Sequence, residues 1–415
     1  MTPRIAIVGS GPAGCYVAQA LRKALPEAEI SVLDRLCVPY GLVRYGVAPD
    51  HQGTKGVTRQ FARLFERQDV DFLGNIEVGR DIALEELRGA MHAVVIATGL
   101  YADRRLGVPG DDLPGVYGSG AITRAWNGHP DSDVAPSFGG RVAVIGNGNV
   151  AADVVRLLAK AAGDFAGSDV AAALIGEAVE EIHVIGRGSL AAAKFDVAML
   201  KEIAALSGVR CDLAEGDSIA GPGEAETPIG AAMAEAVKQL RDASAKRIVF
   251  HAGWTVARVE ADGERVAALT LRRPDGSAEK RLACDSVITA IGFDDDGAID
   301  RASLLQDASA DGVLAPGLFA AGWFRRGSQG TIPENRTDAQ EVAAAVAAWL
   351  SDGTHEDRPG RKVLLDRLGE RITTYRDWLA IDAAETDAAE PDRCRRKLRT
   401  WSEMKDVIEK QRETA

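Results

Sequence analysis

Two short glycine clusters are the residues whose types and spacing point most directly to chemistry. Gly9-Ser10-Gly11-Pro12-Ala13-Gly14 reads GxGxxG, and Gly146-Asn147-Gly148-Asn149-Val150-Ala151 reads GxGxxA. In such a turn the first glycine permits the tight reversal and the second lets a pyrophosphate approach the backbone. The third lets helix pack closely on strand, and the helix N-terminus adds amide donors and partial positive charge. Asp34 follows the first cluster at about the 20-residue spacing where an acid can accept hydrogen bonds from both ribose hydroxyls. At the matching place after the second cluster stands Arg187, a cation able to grip a ribose 2′-phosphate or, read more plainly, a solvated surface arginine. Two dinucleotide sites in one chain have a natural use. One holds a flavin, FAD, and the other brings NADPH or NADH to it for hydride transfer.

The elements that must position these residues repeat once along the chain. Arg4-Ile5-Ala6-Ile7-Val8 reads as a buried parallel strand feeding the first cluster, a helix follows from about Cys15 to Leu25, and Ile30 to Leu33 forms a second strand ending at Asp34. Arg141 to Ile145, a helix over Ala152 to Ala162 and the strand Glu181 to Ile185 repeat the plan before Gly186-Arg187. Ala93 to Gly99 and Ser286 to Gly292 read as the exit strands of the two units, and Gly317 to Trp323 as a strand returning to the first. Asp217 to Pro228, rich in Gly, Pro and Glu, reads as an exposed loop. A helix is expected from about Asp338 to Leu350, opened by a capping box at Thr337 to Gln340. The expected architecture is α/β, with two doubly wound, Rossmann-like dinucleotide-binding domains. Residues 1–104 and 294–415 form the FAD domain, the latter with a C-terminal helical extension, and residues 105–293 form the NAD(P) domain.

Composition narrows the classes. The 415 residues are 46% hydrophobic with a net charge of −12, which suits a globular chain of two to three domains and makes a nucleic-acid partner a poor fit. No apolar run is long enough to insert in a membrane. The five cysteines, Cys15, Cys37, Cys211, Cys284 and Cys394, include no close pair for disulfide chemistry or zinc, and no metal is expected. Scattered thiols and the lack of a signal peptide point to the cytoplasm, or to the mature form of a protein sent elsewhere.

Four further stretches carry a resemblance. Gly41-Leu42-Val43-Arg44-Tyr45-Gly46-Val47-Ala48-Pro49-Asp50-His51, Asn75-Ile76-Glu77-Val78-Gly79-Arg80-Asp81, the second glycine cluster, and Gly322-Trp323-Phe324-Arg325-Arg326-Gly327 with Gly330-Thr331-Ile332 resemble the adrenodoxin reductase type of ferredoxin–NADP(+) reductase. The likeness runs from residue 4 to about residue 405. It implies an FAD- and NADPH-binding enzyme that passes electrons singly to a ferredoxin- or adrenodoxin-like iron–sulfur protein. Carried over, Ala13, Asp34, Leu42, Val78, Trp323, Gly330, Thr331 and Ile332 contact FAD beside Gly9, Gly11 and Gly14. Gly146, Asn147, Gly148, Asn149 and Val150 wrap the nicotinamide dinucleotide's pyrophosphate, and Gly330 also approaches the nicotinamide. His51 and Glu202 match positions linked to orienting the nicotinamide or managing protons, although His51 also reads as a pocket wall and Glu202 as a solvated helix face.

The resemblance is interrupted at the nucleotide-selecting arginines, where the family's second arginine is Gly188. The 2′-phosphate then loses one of two guanidinium partners, each worth about 1.5–3 kcal/mol, so weaker NADPH preference and use of NADH are expected. Lys238, Arg241, Lys246 and Arg247 form a basic cluster that could steer an acidic ferredoxin, although each residue singly reads better as part of an ordinary solvated face, while Arg325 and Arg326 could serve docking or dinucleotide binding. Competing functions are a disulfide reductase, which lacks its cysteine pair here, and a flavin monooxygenase, whose substrate signature is missing. An electron-entry subunit of a larger flavoenzyme complex would carry an N-terminal cysteine cluster. A non-catalytic FAD/NAD(P)H-binding redox sensor is separated from an enzyme only by turnover.

Overall fold

The computed structural model describes residues 2–170, 178–221, 227–238, 246–295, 297–351 and 355–414. The chain divides into two compact units, one of residues 1–102, 127–130 and 293–415, the other of residues 103–126 and 131–292.

The first unit is built on a six-stranded sheet in the order Val313–Ala315, Leu318–Ala320, Ala93–Ile96, Arg4–Val8, Glu29–Leu33, Val70–Leu73, parallel except at its Val313–Ala315 edge. Runs such as Ile5-Ala6-Ile7 are buried on both faces, as an interior parallel strand requires. The chain leaves Arg4–Val8 for one side of the sheet and returns on the other, so this strand's C-terminal end lies at the point where strand order reverses. That is where ligands bind in open α/β sheets. The helix after it runs Pro12–Ala24, three residues ahead of the sequence expectation, because Pro12, Ala13 and Gly14 are themselves the first helical turn, with Pro in its favoured opening place.

Two further expectations for this unit are corrected. After the short strand Leu318–Ala320 the chain turns into the helix Gly322–Arg326 instead of remaining extended. The long helix that follows spans Glu334–Ser351, beginning four residues early. Thr331 and Glu334 form a T-x-x-E signal upstream of the T-x-x-Q at Thr337, and the Thr331 amide donates to the Glu334 carboxylate, which favours the earlier start. The C-terminal stretch is also more than an appendage. Helices Tyr375–Asp387 and Trp401–Glu413 send Trp378, Ile381, Met404 and Ile408 into the same core as Ile5, Val17 and Tyr40.

The second unit repeats the plan with six parallel strands in the order Val116–Gly118, Ser286–Thr289, Arg141–Ile145, Glu181–Gly186, Lys246–Ala252, Val209–Leu213. An antiparallel sheet of Thr255–Asp262, Arg265–Arg272 and Glu279–Ala283 belongs to the same unit. Two histidines on neighbouring strands meet inside it, His183 Nδ1 lying 3.1 Å from His251 Nε2. Lys280 Nζ lies 3.1 Å from His251 Nδ1, and His183 Nε2 lies 3.5 Å from the Glu181 carboxylate. One direction of donation satisfies the chain: Lys280 to His251, and the His251 N–H to His183, with both rings neutral. Burial, together with Lys280, His183 and Arg247, pushes His251 down to about 3. Burial also lowers His183, with Arg247, Arg141 and Lys280 acting alongside it and Glu181 against it.

A histidine whose folded value lies below its unfolded one adds stability that is present above about pH 6.5 and lost as pH falls toward the folded value. Between pH 7 and pH 5 the second unit is therefore expected to lose about 2 kcal/mol on account of His251. Urea titrations at the two pH values check this. The loss should shrink in His251→Gln, and an equal loss in that variant would assign the effect to other groups.

Candidate functional site

The first glycine cluster folds as its residues require. Gly9 adopts φ +110°, and a Cβ there would come within 2.5 Å of the Ala97 carbonyl oxygen, while one on Gly14 would lie 1.9 Å from Gly9 O. Gly11, the N-cap of Pro12–Ala24, is different: among the described residues a Cβ would meet no atom within 4 Å, and no side chain caps the helix. Protein packing explains Gly9 and Gly14. At Gly11 the backbone is kept bare toward open space, which is what an approaching pyrophosphate needs.

Around this cradle the structure gathers most of the residues expected at the flavin. Tyr40 N donates to Ser10 O and Oγ, both at 3.2 Å, and a Cβ on Gly41 would lie 3.1 Å from Gly11 Cα, so the segment opening with Leu42 lies against the glycine loop. Gly322 approaches Ala13 so closely that a Cβ would stand 2.4 Å from the Ala13 methyl group, which sets Trp323 next to the Pro12–Ala24 helix. The Trp323 ring stacks on Phe293 at 5.8 Å. Ile76 N donates to Asp34 O at 2.9 Å, bringing the loop that carries the buried Val78 to the same strand end.

Asp34 is more committed than expected. Its carboxylate accepts from Ser10 N at 2.9 Å, Ser10 Oγ at 2.5 Å and Leu36 N at 2.9 Å. A carboxylate offers about four acceptor positions, so these three donors leave about one open. Arg325 and Arg326 are not loose cations either. Both pair with the buried Asp338, which also accepts from Gly322 N at 2.6 Å, and Arg326 donates to Asn335 Oδ1 at 3.0 Å. Sequence reading missed Asp338 and Asn335, although the signal was present: both stand on the otherwise apolar face of their helix. Gly330, with φ +88°, and Thr331 are exposed ahead of that helix, with Ile332 half-buried. His51 is a half-buried residue preceding the short Gln52–Lys55 helix.

The second cluster has the same geometry. Gly146 adopts φ +137° with the Ala290 carbonyl 2.3 Å from its would-be Cβ, whereas Gly148, N-cap of the helix Asn149–Ala159, again faces nothing within 4 Å. Asn147 packs against Gly186, and its buried Oδ1 has no hydrogen-bond partner among the described residues, an acceptor suited to a ligand donor. Asn149 Oδ1 accepts from Asp196 N at 2.7 Å, and Val150 is half-buried in the first turn. Arg187 and Gly188 are both exposed at the end of Glu181–Gly186. The protein atoms present therefore fit a dinucleotide at each helix N-terminus.

Glu202 stands apart from this cradle. Its carboxylate pairs with Arg156 at 3.2 Å and lies 3.9 Å from Lys160, and the Arg156 side chain is fully buried. Of the supposed docking cluster, Lys246 donates to Leu158 O at 2.7 Å and Arg247 pairs with Asp212 and Glu181. Burial lowers the Lys246 pKa, so these two serve the fold first. Lys238 is exposed, and Arg241 lies outside the described residues. Among the described residues none of the five cysteines forms a disulfide. Among the described residues no helix is long and apolar enough to cross a membrane, and no group of three or more His, Cys, Asp or Glu side chains could hold a metal.

Comparison with known proteins agrees with this geometry. A family model described as pyridine nucleotide-disulphide oxidoreductase matches residues 3–217. The cindoxin reductase of Citrobacter braakii is 44% identical, over 97% of this chain and 91% of that protein. The mitochondrial NADPH:adrenodoxin oxidoreductase of Bos taurus is 32% identical over 92% of this chain and 87% of its own. Among solved structures, Mycobacterium tuberculosis FprA in complex with NADPH superimposes with a TM-score of 0.88 at 28% identity, covering 98% of this chain and 99% of that one. With the fold, the two glycine cradles and these relatives in agreement, the chain belongs to the pyridine nucleotide-disulphide oxidoreductase family and, within it, to the adrenodoxin reductase type of ferredoxin–NADP(+) reductases.

Proposed function

We propose that the chain is a ferredoxin–NAD(P)+ reductase that draws electrons from NADPH and delivers them to a ferredoxin-type iron–sulfur protein. The observation that carries this reading is the pair of uncapped helix N-termini, each fronted by a glycine with open space above it, at Gly11 and Gly148. FAD, when bound, would supply the conversion between a two-electron nicotinamide donor and a one-electron iron–sulfur acceptor.

The chain's own residues bind and orient. Gly11, Ala13 and the amides opening Pro12–Ala24 receive the flavin's pyrophosphate, with Asp34 on its ribose and Leu42, Val78, Trp323 and Gly330 to Ile332 around the remainder. The positive end of Glu334–Ser351 supports negative charge near Gly330. Asn147 to Val150 hold the second pyrophosphate, and Arg187 its 2′-phosphate. His51 is the proposed proton carrier or nicotinamide-orienting group. Glu202 is read differently: its carboxylate shares the buried Arg156 with Asp153 and so ties two helices together. Because Lys246 and Arg247 are held internally, partner steering by those two cations has little support, and Lys238 is what remains of the cluster among the described residues.

The test is anaerobic mixing of the yellow protein with NADPH and, separately, NADH. The flavin is expected to bleach within the mixing experiment and to be reoxidised on adding an oxidised ferredoxin. A flavin that bleaches but never passes electrons to any iron–sulfur acceptor would make the chain a sensor instead, and one that bleaches with neither nucleotide would defeat the enzyme reading altogether.

A further inference from the structure

The loop that carries Arg187 is suspended from a buried charge far along the chain. The carbonyls of Gly186 and Gly188 accept from Trp254 N and Gly253 N, both at 3.0 Å. At the loop's other end Ala191 N donates to Ile219 O at 2.9 Å, and Ala191 O accepts from Thr227 Oγ1 at 2.8 Å. The first anchor runs directly to Asp217 and the second leaves from a residue two positions beyond it. The Asp217 side chain is wholly excluded from solvent. It accepts from Trp254 Nε1 at 3.0 Å, from Ala252 N at 3.2 Å and from Arg273 Nη2 at 2.6 Å. Arg273 in turn donates to Ala252 O at 2.6 Å and Gly253 O at 3.2 Å, and its guanidinium lies 4.0 Å from the centre of the Trp254 ring. Lys280 lies 4.1 Å from the same ring and 3.9 Å from the Asp217 carboxylate.

A fully buried carboxylate is costly unless paired and hydrogen-bonded, and a purely structural tie at this turn needs no charge. Here the carboxylate fixes the Ala252–Trp254 turn from three sides, and that turn's amides set the carbonyls on either side of Arg187. We propose that Asp217, acting through Trp254 and Arg273, is a positioning residue for nucleotide selectivity: it holds the Gly186–Ala191 loop in the shape that aims Arg187 at the 2′-phosphate of NADPH. This rests on the reading of Arg187 as the 2′-phosphate ligand. The two cations around one carboxylate also leave net positive charge beside the loop, which favours a phosphate dianion over the plain hydroxyl of NADH.

Asp217→Asn keeps the shape and removes the ion pair, and Trp254→Phe keeps an aromatic side chain and removes the Nε1 donor together with part of the buried ring. Each is compared with Arg187→Ala in steady-state reduction of a ferredoxin by NADPH and by NADH. Flavin absorbance and thermal unfolding serve as controls of folding. The expected result is a KM for NADPH raised about tenfold, a KM for NADH changed less than about twofold, and kcat at saturating NADPH retained. Loss of stability with an unchanged NADPH-to-NADH ratio of KM in both variants overturns the proposal, provided Arg187→Ala shifts that ratio. If Arg187→Ala leaves the ratio unmoved, the parent reading fails and the positioning role falls with it. If Asp217→Asn does not fold, Trp254→Phe alone decides.

Discussion

Replacing Glu385 with alanine is expected to destabilise the first unit by about 3–5 kcal/mol and to release its flavin. The Glu385 side chain is wholly buried and pairs at 2.5 Å with Arg44, itself almost fully buried. It also accepts from Leu398 N at 2.9 Å and Arg395 Nη1 at 3.2 Å. Burial works against the charged carboxylate, yet the Arg44 guanidinium beside it holds Glu385 below the usual glutamate value. Removing the carboxylate strands a buried guanidinium, which is worse than never having had the pair. Arg44 also lies in the Leu42–Tyr45 helix, which follows directly on the Gly41 that packs against the first glycine loop, so strain there reaches the proposed flavin site. Urea titration followed by released FAD fluorescence and by circular dichroism checks this. Glu385→Gln should lose less, because its amide oxygen still accepts from Leu398 N, and pairing Glu385→Leu with Arg44→Met should restore much of the stability. A Glu385→Ala protein that unfolds at the original urea concentration with flavin still bound would show that the pair does not secure the site.

The contrast between Arg44 and the glycine clusters shows what a sequence can disclose. Gly9, Gly11 and Gly14 act within one turn, so strand, turn, helix and Asp34 are all legible from local spacing, and the structure places them together. Arg44 is as visible in the sequence, but its partner lies 341 positions away, in a stretch that composition alone describes as polar and helical. Asp217 is a similar case: surrounded by Gly, Pro and Glu, it reads as exposed loop, and is buried only because donors from residues 252, 254 and 273 converge on it. The helix ahead of Ser351 was misplaced because two capping signals compete six residues apart, and the choice between them depends on how Thr331 and Glu334 sit in the folded turn. Periodicity reports which face of an element is apolar. It carries no information about which distant charge a buried charge will meet.

Gly188 is the position where sequence, structure and function can be joined by one substitution. Gly188→Arg is expected to lower the KM for NADPH by about 10-fold or more while leaving that for NADH nearly unchanged, since a second charged hydrogen bond to the phosphate is worth about 1.5–3 kcal/mol. The backbone permits it. A Cβ on Gly188 would meet no atom within 4 Å, its φ lies outside the left-handed region, and its carbonyl bond from Gly253 N does not involve the side chain. The added guanidinium would stand next to Arg187 on an exposed turn, so the cost of placing like charges together is modest and screened by salt. The attraction to the phosphate dianion is screened as well and outweighs that cost, so the gain should be larger at low ionic strength, which separates a phosphate contact from a change in loop shape. Initial rates with each nucleotide at about 20 mM and about 200 mM salt provide the measurement. If NADPH and NADH respond alike, Arg187 does not face the 2′-phosphate. If NADPH alone improves, the glycine at this position explains why a chain with an intact flavin cradle would discriminate weakly between its two electron donors.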